Sequence, residues 1–289
     1  MKILVTGYGG QLGYDVVKEC ERHGLNVKGC GRKELDITKK ESVFALVDSY
    51  KPDVIIHCAA YTAVDKAEDD KVNCWNVNVE GTRYLAEAAK KQNAKFVYIS
   101  TDYVFHGKGE NPFTEEDQPE PIGYYGLTKY EGEKIVQSLI EKYFILRISW
   151  VFGINGNNFI KTMLKLSESR NELNVVGDQI GSPTYTVDLA KLIVELIKTN
   201  KYGIYHTTND GYTSWAEFAE EIFKQADRKM LVNSIATEEY PTRASRPKNS
   251  RLSKQKLVEN GFTPLPSWQD ALARFLVQLK SSSIRDGVQ

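Results

Sequence analysis

The feature that most constrains this chain is the way it begins. Lys2 to Thr6 is a short apolar run rich in β-branched residues, and it leads directly into Gly7-Tyr-Gly-Gly10-Gln-Leu-Gly13 and an amphipathic segment to about His23. Strand, glycine turn and helix in that order leave few folds open. Glycines at 7, 10 and 13 permit a tight turn, let the backbone approach a pyrophosphate and allow close helix–strand packing, while the helix N-terminus adds N–H groups and positive dipole.

The same alternation continues. Leu25 to Gly31 reads as a second strand, Thr38 to Tyr50 as a helix that Pro52 ends, and Asp53 to Ala59 as a near-continuously apolar third strand of the kind parallel sheets bury. Ala59-Ala60-Tyr61-Thr62 follows at its C-terminal end, where ligands of open α/β sheets bind and where small side chains leave room for a cofactor. Asp65 to Val72 is polar, Trp75 to Gln92 reads as one long helix carrying Asn78, and Lys95 to Ser100 is a fourth strand ending in Ser-Thr-Asp. Tyr103 to Gly123, with three prolines, reads as a loop over the site; a helix over Tyr124 to Glu141 and a fifth strand over Tyr143 to Ser149 come next. Beyond Trp150 the alternation fades. Segments 157–169, 185–199, 214–225 and 267–279 look helical, with a short strand near Gly203 to His206. The expected architecture is α/β: a doubly wound parallel Rossmann sheet over residues 1–150, and a smaller substrate-binding lobe over 151–280 from which one element returns to the first domain. Residues 281–289 are expected to form a disordered tail.

Within this frame Tyr125 and Lys129 lie four apart on one helical face, a proton donor beside a cation. A free phenol has a pKa of roughly 10, and a nearby ammonium is expected to favour its ionised form and bring it into working range. Thr101, at the end of a central strand, can hydrogen-bond a substrate carbonyl. At the end of the second strand Arg32 suits the extra phosphate of NADP, whereas Glu34 or Asp36 would bind a free ribose hydroxyl, so NADP(H) is preferred with NAD(H) tolerated. His57 reads as a core residue.

Charge and cysteine usage narrow the field. The chain balances 38 basic against 38 acidic residues, which leaves no basic footprint for nucleic acid or a membrane surface. Cys20, Cys30, Cys58 and Cys74 show no C-x-x-C spacing and read as reduced thiols of a cytoplasmic protein. No stretch approaches the ~20 apolar residues of a membrane span. One local cation cluster, Arg243 to Arg251, suits either a diphosphate or a salt network.

The glycine turn, Ala-Ala-Tyr-Thr-Ala-Val-Asp-Lys-Ala-Glu at 59–68, Ser-Thr-Asp-Tyr-Val-Phe at 100–105, Tyr125 with Lys129, Arg-Ile-Ser-Trp-Val-Phe-Gly at 147–153 and Arg-Pro-Lys-Asn-Ser-Arg-Leu at 246–252 together resemble the extended short-chain dehydrogenases, specifically the dTDP-4-dehydrorhamnose reductase branch. The resemblance implies NAD(P)H-dependent reduction of a dTDP-4-dehydro-6-deoxy sugar at C4. It implies that Tyr125 protonates the developing alkoxide, Lys129 holds the nicotinamide ribose and tunes Tyr125, and Thr101 orients the carbonyl, with Asp102 and Trp150 contacting the sugar. Gly10, Gln11, Leu12, Asp36, Ile37, Ala60, Tyr61 and Thr62 match cofactor-contact positions. Some members dimerise through magnesium held by acidic residues on the first helix and after the Ser-Pro-Thr turn. Here those places carry Asp15 and Val187, so no metal site and a monomer or weak homodimer are expected, with Asp15 an ordinary first-turn carboxylate favourable to the helix dipole. Two other readings share the motifs. A nucleotide-sugar epimerase uses the same tyrosine and lysine but retains its NAD, and a non-catalytic methionine adenosyltransferase regulatory subunit binds a partner enzyme. A dehydratase is disfavoured, because Thr101 is followed by Asp102-Tyr103 and not by Asp-Glu.

Overall fold

The computed structural model describes residues 1–286. In chain order the first half contains β1 (Lys2–Thr6), α1 (Gln11–Arg22), β2 (Asn26–Cys30), α2 (Lys40–Tyr50), β3 (Val54–His57), α3 (Val64–Ala67), α4 (Lys71–Trp75), a π-helical turn (Asn76–Glu80), α5 (Gly81–Gln92), β4 (Lys95–Thr101), α6 (Tyr124–Leu139) and β5 (Tyr143–Ile148). The second half contains β6 (Val151–Phe152), α7 (Phe159–Leu166), β7 (Glu172–Val176), β8 (Ile180–Gly181), β9 (Thr184–Tyr185), α8 (Thr186–Leu196), β10 (Gly203–His206), β11 (Thr213–Ser214), α9 (Trp215–Gln225), β12 (Leu231–Ile235), α10 (Gln255–Glu259) and α11 (Trp268–Asp286).

Six of the strands form one parallel sheet in the order β10-β5-β4-β3-β1-β2. The strands are apolar on both faces because both faces are covered. Ile3, Val5, Ile56, Val97 and Leu146 pack against α1 and α8. Leu4, Ile55, Phe96 and Ile145 pack against α2, α5 and α6 on the other side. The strand order reverses between β1 and β3, and there the crevice at the carboxyl ends of the strands opens. The remaining segments build a second core around Phe152, Ile160, Phe218, Ile222, Trp268 and Phe275.

Several elements differ from the sequence reading. The expected helix from Trp75 to Gln92 is broken by the π turn, which contains Asn78. β7 and β12, absent from the sequence reading, pair in parallel from Glu172↔Leu231 to Val176↔Ile235; a two-stranded ribbon whose partners lie nearly sixty positions apart, each of mixed polarity, gives little local signal. α11 continues to Asp286, so residues 281–286 extend a helix instead of a disordered tail, and 287–289 lie outside the described residues. Asp15 is not in the first turn of α1: it is 5 % exposed, accepts a hydrogen bond from the Thr186 hydroxyl of α8, and burial raises its pKa. No described helix is long and apolar enough to cross a membrane.

Candidate active site

The glycine turn lies where β1 hands over to α1, directly beside the end of β3. Gly7 has φ of 72°, and a Cβ there would come within 2.6 Å of the Ala59 backbone nitrogen, so only glycine lets the turn nestle against Ala59. Gly10 N–H closes the turn onto the Gly7 carbonyl at 2.9 Å, and Gly13 packs against that same carbonyl. A Cβ at Gly9 would meet open space, and α1 starts at Gly10 without a side-chain cap, so the first N–H groups of the helix are free to face an anion. Gln11 turns the other way: its side-chain oxygen accepts from Gly153 N–H at 2.9 Å and Asn158 Nδ2 at 3.0 Å, tying the turn to the segment after β6. Leu12 is core, packed beneath the turn.

At the end of β2, Arg32 is exposed and makes no hydrogen bond or ion pair with other described residues. Glu34 is bound back to Gly31 N–H at 2.9 Å, and Asp36 accepts from both Thr38 N–H (3.1 Å) and the Thr38 hydroxyl (2.7 Å), which lowers its pKa. Of the groups expected to read the ribose, the free one is therefore Arg32. Ile37 is buried in the core under α5.

The segment Ala59 to Thr62 is held by Asn78, a residue the sequence reading placed on a helix but gave no role. Asn78 Oδ1 accepts from Tyr61 N–H at 2.8 Å, while its Nδ2 donates to the Tyr61 carbonyl at 3.2 Å and to the Thr128 hydroxyl at 3.0 Å. The π turn aims this one amide at both the β3 loop and α6. The Tyr61 hydroxyl donates to Asp70 at 3.1 Å.

Tyr125 is delivered to the end of β4 by α6. The helix can start so close because residue 126 is glycine: a Cβ there would collide with the Tyr103 carbonyl. The Tyr103 and Tyr125 rings meet edge to face with centroids 5.6 Å apart. Thr101 closes β4, and its Oγ1 donates to Asp102 Oδ1 at 2.9 Å and accepts from Tyr103 N–H at 3.2 Å. Burial raises the Tyr125 pKa, the Asp102 charge raises it further, and hydrogen bonding with Thr101 works against both. The phenol is thus raised and not brought into working range by the Lys129 ammonium: burial dominates, and Lys129 is itself pushed down to about 7, Glu133 opposing. Its Nζ stands 4.1 Å over the Tyr98 ring. The phenol is protonated at neutral pH, which is the state a proton donor needs.

Asp102 is 2 % exposed; burial raises its pKa to about 6, with the nearby Ser250 hydroxyl and Thr101 pulling the other way, and its Oδ2 has no hydrogen-bond partner. Beneath the site Glu133, one turn beyond Lys129, accepts from Arg147 Nε (2.9 Å) and Nη2 (2.7 Å) and from the Ser100 hydroxyl (2.5 Å). Sequence spacing offered a signal for Glu133, four residues after Lys129, but none for its partner. Trp150, with φ of 49°, stacks on Trp215 at 3.7 Å and has no ring or hydrogen-bond contact with Tyr125. In the cation cluster Arg246 donates to Asp65 at 2.8 Å and to the Tyr103 hydroxyl at 3.3 Å, and Arg243 pairs with Asp69. His57 is a core residue, hydrogen-bonded to Thr6 and Thr82. All four cysteines are free thiols.

The family model for the RmlD substrate binding domain matches residues 1–281. A dTDP-4-dehydrorhamnose reductase of Aggregatibacter actinomycetemcomitans is 45% identical over 285 residues, covering 94% of this chain and 97% of its own. The chain belongs to the dTDP-4-dehydrorhamnose reductase family. The crystal structure of the Bacillus anthracis dTDP-4-dehydrorhamnose reductase in complex with NADP superposes with a TM-score of 0.94 at 45% identity, covering 96% of this chain and 99% of that one. The Thermus thermophilus UDP-glucose 4-epimerase complex with NAD reaches a TM-score of 0.83 at 21% identity, covering 97% of this chain and 99% of that one, a likeness of fold alone.

Proposed function

We propose that this protein uses NADPH, with NADH tolerated, to reduce the C4 ketone of dTDP-4-dehydro-L-rhamnose to the alcohol of dTDP-L-rhamnose, a cytoplasmic step toward a rhamnose-containing polysaccharide. The observation that carries this reading is a protonated phenol, Tyr125, beside the Thr101 hydroxyl at the carboxyl end of a central strand, one crevice away from an uncapped glycine turn. That turn suits a dinucleotide, because Gly7 lets it close against the Ala59 backbone while Gly9 opens onto free space.

Gly7, Gly10, Gln11, Leu12 and Gly13 would hold the pyrophosphate, and Arg32, Asp36 and Ile37 the adenosine end. Ala59, Ala60, Tyr61 and Thr62 would hold the nicotinamide half with Tyr125 and Lys129. When bound, the reduced nicotinamide supplies a hydride. The chain's own residues do the rest. Thr101 orients the carbonyl oxygen, Tyr125 gives its proton to the oxygen as negative charge develops there, and a protonated Lys129 favours the phenolate left behind. Asp102 and Trp150 would bound the sugar.

The test is oxidation of NADPH or NADH by the purified protein with dTDP-4-dehydro-L-rhamnose and no added magnesium. Tyr125→Phe should lower turnover by roughly 10²–10⁴-fold. Absence of oxidation with both cofactors refutes the assignment, and an Arg32→Ala variant that keeps its preference for NADPH refutes the role of Arg32.

A further inference from the structure

A hydroxyl has one proton to give and two lone pairs to accept with, and at Thr101 nearly all of this capacity is already committed. The Tyr103 N–H takes one lone pair at 3.2 Å, and the single proton points to Asp102 Oδ1 at 2.9 Å. With Asp102 ionised, Thr101 therefore has no proton left for a substrate carbonyl. It can only accept, and what stands next to it to donate is the Tyr125 phenol, whose proton is then drawn away from the substrate. With Asp102 protonated the count reverses. The carboxylic acid donates to Thr101, both lone pairs are filled, and the Thr101 proton must point outward to the carbonyl. Asp102 is built for such a change: it is 2 % exposed, Oδ2 makes no hydrogen bond, and burial outweighs the Ser250 and Thr101 hydroxyls and the backbone N–H groups of Asp102 and Tyr103 that favour its charge.

We propose that Asp102 is a positioning residue that acts in its protonated form, turning Thr101 from an acceptor into a donor toward the substrate ketone. This rests on the reductase reading above. No proton is consumed at Asp102; it returns to its starting state with each turnover, and the proton added to the product oxygen comes from Tyr125.

The groups around Asp102 leave room for this. Tyr103, in the same turn, and Tyr125, on α6, are both held neutral by burial. Arg246, on the 246–252 segment, donates to Asp65 and the Tyr103 hydroxyl, and Ser250 of the same segment brings an uncharged hydroxyl. Lys129, further along α6, exerts its charge on the cysteine and histidine side of the site. Since burial places the Asp102 pKa at about 6, kcat/KM should fall about tenfold per pH unit above that value, separate from a second loss as Lys129 discharges near 7.

The decisive variant is Asp102→Asn. Its amide N–H donates to Thr101 permanently, so the loss beginning near pH 6 should vanish and the variant should outperform the native protein severalfold at about pH 8. A residue serving only as a sugar contact or a structural prop would leave a variant that is weaker at every pH with the limb unmoved, and that result overturns the proposal. A second variant, Ser250→Ala, removes a hydroxyl that stabilises the carboxylate and should move the limb to higher pH; an unmoved limb likewise counts against it. Independently of turnover, the infrared carbonyl stretch of a neutral carboxylic acid in the free protein should disappear as pH rises through about 6 in the native chain and be missing from Asp102→Asn. Failure of the reductase reading gives no oxidation at any pH with the infrared titration intact, whereas failure of this one gives oxidation without the shift.

Discussion

Glu133 and Asp102 are both carboxylates buried against the end of β4, yet their surroundings differ in kind. Glu133 is fully buried and its oxygens receive three hydrogen bonds, two from Arg147 and one from Ser100. Asp102 has one strong donor, Thr101, and an oxygen with none. Lys129, on α6, resembles Asp102, its ammonium facing a ring and no carboxylate among the described residues within salt-bridge distance. A carboxylate whose oxygens are both met by donors ties sheet to helix, even though Arg147 Nη1 is left without a hydrogen-bond partner. One that is incompletely met stores free energy where protons have to move.

Removing the completed partner should cost most. Glu133→Ala leaves the Arg147 guanidinium buried without its counter-ion and should destabilise the protein by about 3–5 kcal/mol in urea unfolding; a loss under about 1 kcal/mol would dissolve the distinction between the two carboxylates. Lys129→Met should do the opposite. The folded Lys129 pKa of about 7 lies below its ordinary 10.5, so the native protein gains stability as pH rises through that window and bears the full burden below it. The variant should accordingly be more stable by roughly 4 kcal/mol near neutral pH while losing activity, with its advantage shrinking toward pH 10, as read by thermal unfolding at several pH values. Asp102→Asn should show the smallest change, at most roughly 3 kcal/mol. A carboxyl raised from 3.8 to about 6 contributes stability below the lower value that is lost as pH rises through the upper one, so this variant should gain stability above about pH 6 and none near 4. A gain that persists in acid would show that Asp102 costs stability through packing and not through its charge.

The parts that could be read along the chain are those whose cause is local. The β1–Gly7–α1 unit follows from an apolar run, glycines and an amphipathic period, and Tyr125 and Lys129 share a face because a helix repeats every 3.6 residues. Thr101 could be singled out because it ends a strand, and the structure makes it the last residue of β4. Asn78 was visible as a residue on a helix but not as a clamp, because Tyr61 on the β3 loop and Thr128 on α6 become its neighbours only when the π turn redirects its side chain. Asp15 reads as an ordinary first-turn carboxylate because what buries it, together with its partner Thr186, is a helix that packs back from far along the chain.

The sequence by itself determined most of the order of strands and helices over the first half, the glycine turn that faces the crevice, and the placing of Tyr125 and Lys129 on one helical face, since each is written in spacing and residue type. Only the tertiary structure decided which charges those groups carry. Burial raises Tyr125 and Asp102 and lowers Lys129, and burial is set by long-range packing of β4, α6 and the 246–252 segment. Desolvation outweighs the cation four residues away in setting those charges.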